Sequence, residues 1–151
     1  MIEVGSYLGE STLIFLERAG KVICIDPYLD EFAKAELEHE ELGNAMSEVY
    51  EAFKQRVLDV HPNVTLLRNT SADASWDIDQ MFDLIYIDAN HEYEHVKNDI
   101  MLYMPFVKPG GWIAGHDLID YFPGVERAVN EMFGGPDKMF KDTSWAKQRP
   151  V

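Results

Sequence analysis

The sequence predicts an α/β fold, a parallel sheet covered on both faces by helices. Three observations predict it. Short apolar runs alternate along the chain with segments of helical character. The run from Phe82 to Ile87 is apolar but for Asp83, the pattern of a strand buried on both faces. The runs also end in polar groups, at Asp26, at Asp88 and at His116-Asp117, and an open parallel sheet binds ligands beyond the C-terminal ends of its strands. With 151 residues and 46% hydrophobic content, the chain is expected to form one domain spanning residues 1–151.

Each element follows from local chemistry. Ile2 to Val4 is a short strand, and Gly5-Ser6-Tyr7-Leu8-Gly9 is a turn built of small residues at its ends. Glu10-Ser11-Thr12 opens a helix to about Ala19, with Gly20 as its cap. Lys21 to Ile25 is a second strand ending in Asp26-Pro27. Asp30 is placed to cap a long acidic helical region that Gly43-Asn44 interrupts. Met46, Val49, Tyr50, Phe53, Val57 and Val60 then fall at helical spacing and are expected to face the core. His61-Pro62-Asn63 is a loop before a third strand, Val64 to Leu67, and the polar stretch Asn69 to Asp73 lies beyond its end. A fourth strand, Phe82 to Ile87, leads through an acidic loop to a helix from Glu92 to Phe106. Lys108-Pro109-Gly110-Gly111 reads as a turn before a fifth strand, Trp112 to Gly115. A helix from Val125 to Phe133 starts behind Pro123-Gly124 and stops at Gly134-Gly135-Pro136. The tail from Lys138 to Lys147 has room for two short strands, including Thr143 to Ala146.

Charge narrows the partners. Thirteen basic residues against 27 acidic ones give a formal charge of −14, which argues against nucleic acid and against an anionic membrane surface. Asp26 to Glu51 holds nine carboxylates with Lys34 as the single cation, the composition of a solvated helix face. Cys24 stands alone in an apolar run, so it is expected in a buried strand and excludes a disulfide framework. No signal peptide or membrane span is visible, which predicts a cytoplasmic protein. The opening Met-Ile-Glu-Val-Gly leaves the first strand little lead-in, so a minimal or N-terminally truncated version of a larger architecture is expected.

The strand ends carry the chemistry. The first loop reads Glu3-x-Gly5-x-x-x-Gly9, where a dinucleotide fingerprint would place a third glycine in the position of Glu3. A glutamate there repels a pyrophosphate and suits a ligand with an ammonium group. Asp26 stands where an acid accepts hydrogen bonds from both ribose hydroxyls, although Asp26-Pro27 is also ordinary turn chemistry. Asp73 is placed to meet an adenine amino group, or to serve as a loop acid or helix cap. Asp88, His91, His116 and Asp117 would meet at one sheet edge.

EVGSYLGEST, ICIDPY, YIDANHEYEHVKND and LYMPFVKPGGWIAGHD together resemble the class I S-adenosylmethionine-dependent methyltransferases, over nearly the whole chain. The D-x-x-H-x-Y segment followed by K-P-G-G-x-x-x-x-H-D narrows the resemblance to the branch of the macrocin and mycinamicin sugar O-methyltransferases. The resemblance implies a Rossmann-like doubly wound sheet of seven strands, mostly parallel with an antiparallel C-terminal strand, so that the tail around Trp145 closes the sheet. It implies S-adenosylmethionine binding by Glu3, Gly5, Ser6, Gly9, Asp26, Ala72, Asp73 and Asp88, with Glu3, Gly5 and Gly9 at the methionine end. It implies Mg2+ held by Asp88 and Asp117, with His91 as general base.

That chemistry is coherent. A sugar hydroxyl is a poor nucleophile at neutral pH, and metal coordination with a nearby imidazole eases loss of its proton. The expected partner is a small-molecule acceptor, a sugar or natural-product hydroxyl, and pairing with a second copy is expected over the open cleft. One departure stands out: Leu118 follows Asp117 where related metal-dependent enzymes carry another acid or an asparagine. A third ligand would then come from Asn90, His116 or a partner subunit. Of these, the His116 side chain is expected to be a structural group in its loop. Two other functions fit the same elements: a non-catalytic cofactor-binding module, and a nicotinamide- or nucleotide-dependent enzyme, against which the missing glycine and Glu3 speak.

Overall fold

A computed structural model describes residues 1–30 and 45–151. In chain order its elements are β1 (Ile2–Val4), α1 (Glu10–Leu16), β2 (Val22–Ile25), α2 (Ala45–Phe53), β3 (Val64–Leu67), α3 (Ser71–Ala74), β4 (Phe82–Ile87), α4 (Tyr93–Tyr103), β5 (Val107–Gly115), α5 (Pro123–Phe133), β6 (Lys138–Met139) and β7 (Trp145–Gln148). Among the described residues the strands form one seven-stranded sheet in the order β3-β2-β1-β4-β5-β7-β6. β1 to β5 pair in parallel, β7 runs antiparallel to β5, and β6 antiparallel to β7. This is the doubly wound fold with antiparallel closure by the tail.

The strand order reverses between β1 and β4, and such a switch point opens a crevice at the carboxyl ends of the strands. Register makes the crevice level. Val4 pairs with both Ile25 and Ile87, and Ile87 pairs with Gly115. Gly5, Asp26, Asp88 and His116 therefore leave the sheet side by side.

The β2 side chains alternate between two cores, as the two-residue strand period requires. Ile23 and Ile25 join Ile2, Ile85, Ile100 and Val129 in the larger core, while Val22 and Cys24 join Tyr28, Phe53 and Val57 in the smaller one. Cys24 is buried as expected, and burial together with the nearby Glu3 pushes its thiol up to about 12.

Several boundaries differ from expectation. α1 stops at Leu16, and the Phe15 carbonyl accepts from both Arg18 and Ala19, so the chain tightens before Gly20, which is not left-handed. Val60 is 60% exposed rather than core-facing. α2 continues as a π-helical turn, Lys54–Leu58, whose wider winding breaks the 3.6-residue phase after Val57. Lys108 to Gly111 is not a turn preceding β5 but an irregularity inside it: Phe82 pairs with Val107 and Leu84 with Trp112, with Gly110 at φ 76° between. The Asp30 carboxylate accepts the Met46 amide at 3.0 Å in the first turn of α2. The acidic helical region after Asp30 and its interruption at Gly43-Asn44 lie outside the described residues. No helix among the described residues is long and apolar enough to cross a membrane.

Candidate functional site

The left side of the crevice is built from acids tied to backbone and hydroxyls. Glu3 is 0% exposed. Its two oxygens accept from Ser11 Oγ and Thr12 Oγ1 at the start of α1, and Cys24 Sγ lies 3.5 Å from Oε2. Burial raises its pKa, and those hydrogen bonds draw it part of the way back. Glu3 therefore braces α1 through its carboxylate. The cost of turning it inward is met by the two hydroxyls that α1 supplies.

Asp26 is the clamp of the glycine loop. Its Oδ2 accepts the amides of Ser6 and Tyr7, both at 3.0 Å, and Oδ1 accepts the Tyr28 amide at 2.9 Å. Burial raises its pKa against the lowering effect of these three donors and of Arg68. Tyr28 adds a second stitch, its hydroxyl donating to the Tyr7 carbonyl at 2.9 Å. Gly5 sits at φ 85°, and a β-carbon there would lie 2.0 Å from the Asp88 carbonyl oxygen. Only glycine lets the β1 loop press against the end of β4. Ser6 is buried, with no partner for its hydroxyl among oxygen and nitrogen atoms of the described residues.

Beyond β3, Thr70 caps α3. Its Oγ1 accepts the Asp73 amide and donates to Asp73 Oδ2 at 2.9 Å, so the Asp73 carboxylate is already engaged in a helix cap. α4 holds this loop from below. Asp99 Oδ1 accepts from Ser71 Oγ at 2.5 Å, and the Tyr103 hydroxyl donates to the Ser71 carbonyl at 2.7 Å. Burial raises Asp99 to about 6. Asp99 lies mid-helix, far from any strand end, so no local pattern in the sequence marks it.

The right side differs in kind. His91 Nε2 lies 2.8 Å from Asp117 Oδ2 and 3.9 Å from Asp88 Oδ1, and His116 Nδ1 lies 3.1 Å from Asp117 Oδ1. One donor atom from each of Asp88, His116 and Asp117 lies within 4.8 Å of the others. Two carboxylates and an imidazole at that spacing fit a divalent cation. All four side chains are partly exposed, between 21% and 32%. Asn90 Oδ1 accepts the Glu92 amide at 2.8 Å where α4 begins. Leu118 is partly buried against the larger core while its amide donates to the Thr143 carbonyl, so the position after Asp117 anchors the loop instead of offering a ligand.

Four further residues shape this side without a signal in their local pattern. The Phe122 ring stacks on His91 at 4.1 Å between centroids, with Tyr121 edge-on to Phe122 at 4.8 Å. A β-carbon on Gly124 would lie 2.3 Å from the His91 carbonyl oxygen, so glycine lets α5 abut the His91 loop. Trp145 is 1% exposed, and its Nε1 has no acceptor among the described residues. It lines a small pocket together with Asp88, Asn90, His91 and His116.

Comparisons agree with this architecture. A family model described as a methyltransferase domain matches residues 2–118. The chain is similar to an uncharacterised protein of Acanthamoeba polyphaga mimivirus, 42% identical over 52 residues; the match covers 33% of this chain and 24% of that protein. Among solved structures it is similar in fold to the O-methyltransferase NovP, at TM-score 0.69 and 16% identity, covering 100% of this chain and 72% of that one. CalS11, a TDP-rhamnose 3'-O-methyltransferase of calicheamicin biosynthesis, aligns at 0.64 and 15%, covering 98% and 71%. The N-methyltransferase NodS from Bradyrhizobium japonicum WM9 aligns at 0.66 and 13%, covering 99% and 85%.

Proposed function

This chain belongs to the methyltransferase-domain family, and from that premise we propose that it is an S-adenosylmethionine-dependent O-methyltransferase acting on a hydroxyl of a sugar or small natural product. The observation that carries the choice of oxygen is His91, set 2.8 Å from Asp117 and beside Asp88 at the crevice edge. A hydroxyl must lose a proton to become a competent nucleophile, and an imidazole beside a cation site is suited to that task. The bound cofactor would supply an electrophilic methyl group on a sulfonium. A divalent cation, when held by Asp88 and Asp117, would lower the pKa of the acceptor hydroxyl and orient it.

The chain's own residues do the rest. The loop from Gly5 to Gly9, fixed by Asp26, forms the cofactor side, and the carboxylates along the crevice suit a sulfonium and an ammonium better than a pyrophosphate. Asp26 keeps acceptor capacity on Oδ1, which takes a single amide, for a ribose hydroxyl. Ala72 and Asp73 flank the adenine end. His91, with Nε2 2.8 Å from Asp117 Oδ2, would take the acceptor proton, and the stacked Phe122 holds its ring. Alignment of donor methyl and acceptor oxygen then provides the main rate gain.

The test is calorimetric titration with S-adenosylhomocysteine and with NAD, followed by transfer of a labelled methyl group to a panel of sugar and natural-product hydroxyls with and without Mg2+. Binding of S-adenosylhomocysteine but not NAD, with transfer to an oxygen, is expected. No binding at millimolar S-adenosylhomocysteine, or transfer to amines alone, would overturn the proposal.

A further inference from the structure

We infer that His116 is the third protein ligand of the cation site, and that the site therefore favours a nitrogen-tolerant divalent ion such as Mn2+ over Mg2+. The inference rests on the proposed cation at Asp88 and Asp117 and specifies its donor set.

Register brings the donors together. Ile87 pairs with Gly115, so the residues that follow, Asp88 and His116, leave adjacent strands side by side. Both positions are pinned by backbone bonds: the Asp88 amide donates to Val4 O at 2.8 Å and the His116 amide to Ile87 O at 3.2 Å. In a regular strand His116 and Asp117 would point to opposite faces. Asp117 instead adopts φ 57°, a left-handed conformation that aspartate tolerates better than most side chains. That single residue breaks the alternation and returns its carboxylate to the His116 side, where Oδ1 lies 3.1 Å from His116 Nδ1.

The flanking contacts hold the turn in place. The Ile119 amide donates to the Asp117 carbonyl at 2.9 Å, and the Leu118 amide to Thr143 at 3.1 Å, with the Leu118 side chain packed on the core. The residue after Asp117 is thus the anchor, and the residue before it supplies the donor. Asp117 Oδ2 lies on the other side, 2.8 Å from His91 Nε2. A separate observation points to a ligand in the same place. Trp145 lines the pocket that His116 and Asp88 also line, and its buried Nε1–H has no acceptor among the described residues. An ion-bound water is an acceptor of the kind this donor lacks. Two carboxylates and one imidazole form a mixed oxygen and nitrogen set, and imidazole shifts preference from Mg2+ toward transition-metal ions.

The test is electron spin-echo spectroscopy of the full chain loaded with Mn2+. The expected spectrum shows 14N modulation from a coordinated imidazole. H116Q should lose it and weaken Mn2+ binding at least tenfold, while H91Q retains it. In the unmodified chain, a hundredfold excess of Mg2+ should fail to displace Mn2+; this arm stands even where H116Q does not fold. Bound Mn2+ without 14N modulation, modulation that survives H116Q, or displacement by equimolar Mg2+ would overturn the role of His116 while leaving a cation at the two aspartates. No Mn2+ binding at millimolar ion would overturn both this inference and the metal-assisted mechanism.

Discussion

The two sides of the crevice use the same residue type in opposite ways. On the β1–β2–β3 side, Glu3, Asp26 and Asp99 are buried, and each accepts hydrogen bonds from loop amides or hydroxyls. On the β4–β5 side, Asp88 and Asp117 are partly exposed and are set among imidazoles. Buried carboxylates that accept several N–H or O–H donors act as brackets for the loops around them. Carboxylates gathered with histidines at a strand edge are suited to an ion and a proton. An acid at a strand end can therefore shape a site or serve in it, and its partners decide which.

Four substitutions probe that division, in descending size of effect. His91→Ala should reduce methyl transfer by about 10²–10⁴-fold while S-adenosylhomocysteine still binds, measured by single-turnover kinetics beside calorimetry. Retained turnover would make His91 a support for Asp117 alone. Gly5→Ala places a β-carbon against the Asp88 carbonyl at positive φ. A loss of about 3 kcal/mol or more in urea unfolding is expected from overpacking and backbone strain together. Asp26→Ala strands three amide donors. It should cost about 1–3 kcal/mol of stability and weaken S-adenosylhomocysteine binding, whereas Asp117→Asn should leave the unfolding midpoint nearly unchanged. If both aspartates proved equally costly to stability, the contrast between the two sides would collapse.

A further prediction concerns pH. Burial places Asp99 at about 6 in the folded chain, against about 3.9 in an unfolded one. Between those values the folded state holds a proton that the unfolded state has released, so this group's contribution to stability is lost as pH rises from about 4 to about 6. Above that window the loss is complete, at most about 3 kcal/mol. Asp99→Asn should be the more stable chain at pH 7 and converge with the parent near pH 4, as read from paired urea titrations. An unchanged gap across that range would place the carboxylate outside the buried network.

Much of this was legible in the sequence. Apolar runs and their polar ends located β1 to β5, because strand burial writes itself into consecutive residues. Asp88, His91 and Asp117 were legible for the same reason, each lying at or just beyond a strand end. What stayed hidden depends on backbone geometry or distant pairing. The inward turn of Glu3 depends on hydroxyls at Ser11 and Thr12, eight and nine residues away. That His116 meets Asp117 at one sheet edge was legible; the left-handed backbone at Asp117 that sets their contact was not. Val60 was misplaced because a π-helical turn changes the period that the spacing assumes. Phe122, Gly124 and Trp145 act through contacts that cross the fold, and no local pattern announces them.

The proposed function puts cofactor and ion on the two sides of one crevice. A crystal structure with S-adenosylhomocysteine and Mn2+ tests it most directly. The predicted result is adenosyl density along the Gly5–Gly9 loop and Asp26, with an anomalous peak between Asp88, His116 and Asp117. Adenosyl density away from the loop, or an ion bound elsewhere with those three side chains unliganded, would contradict it.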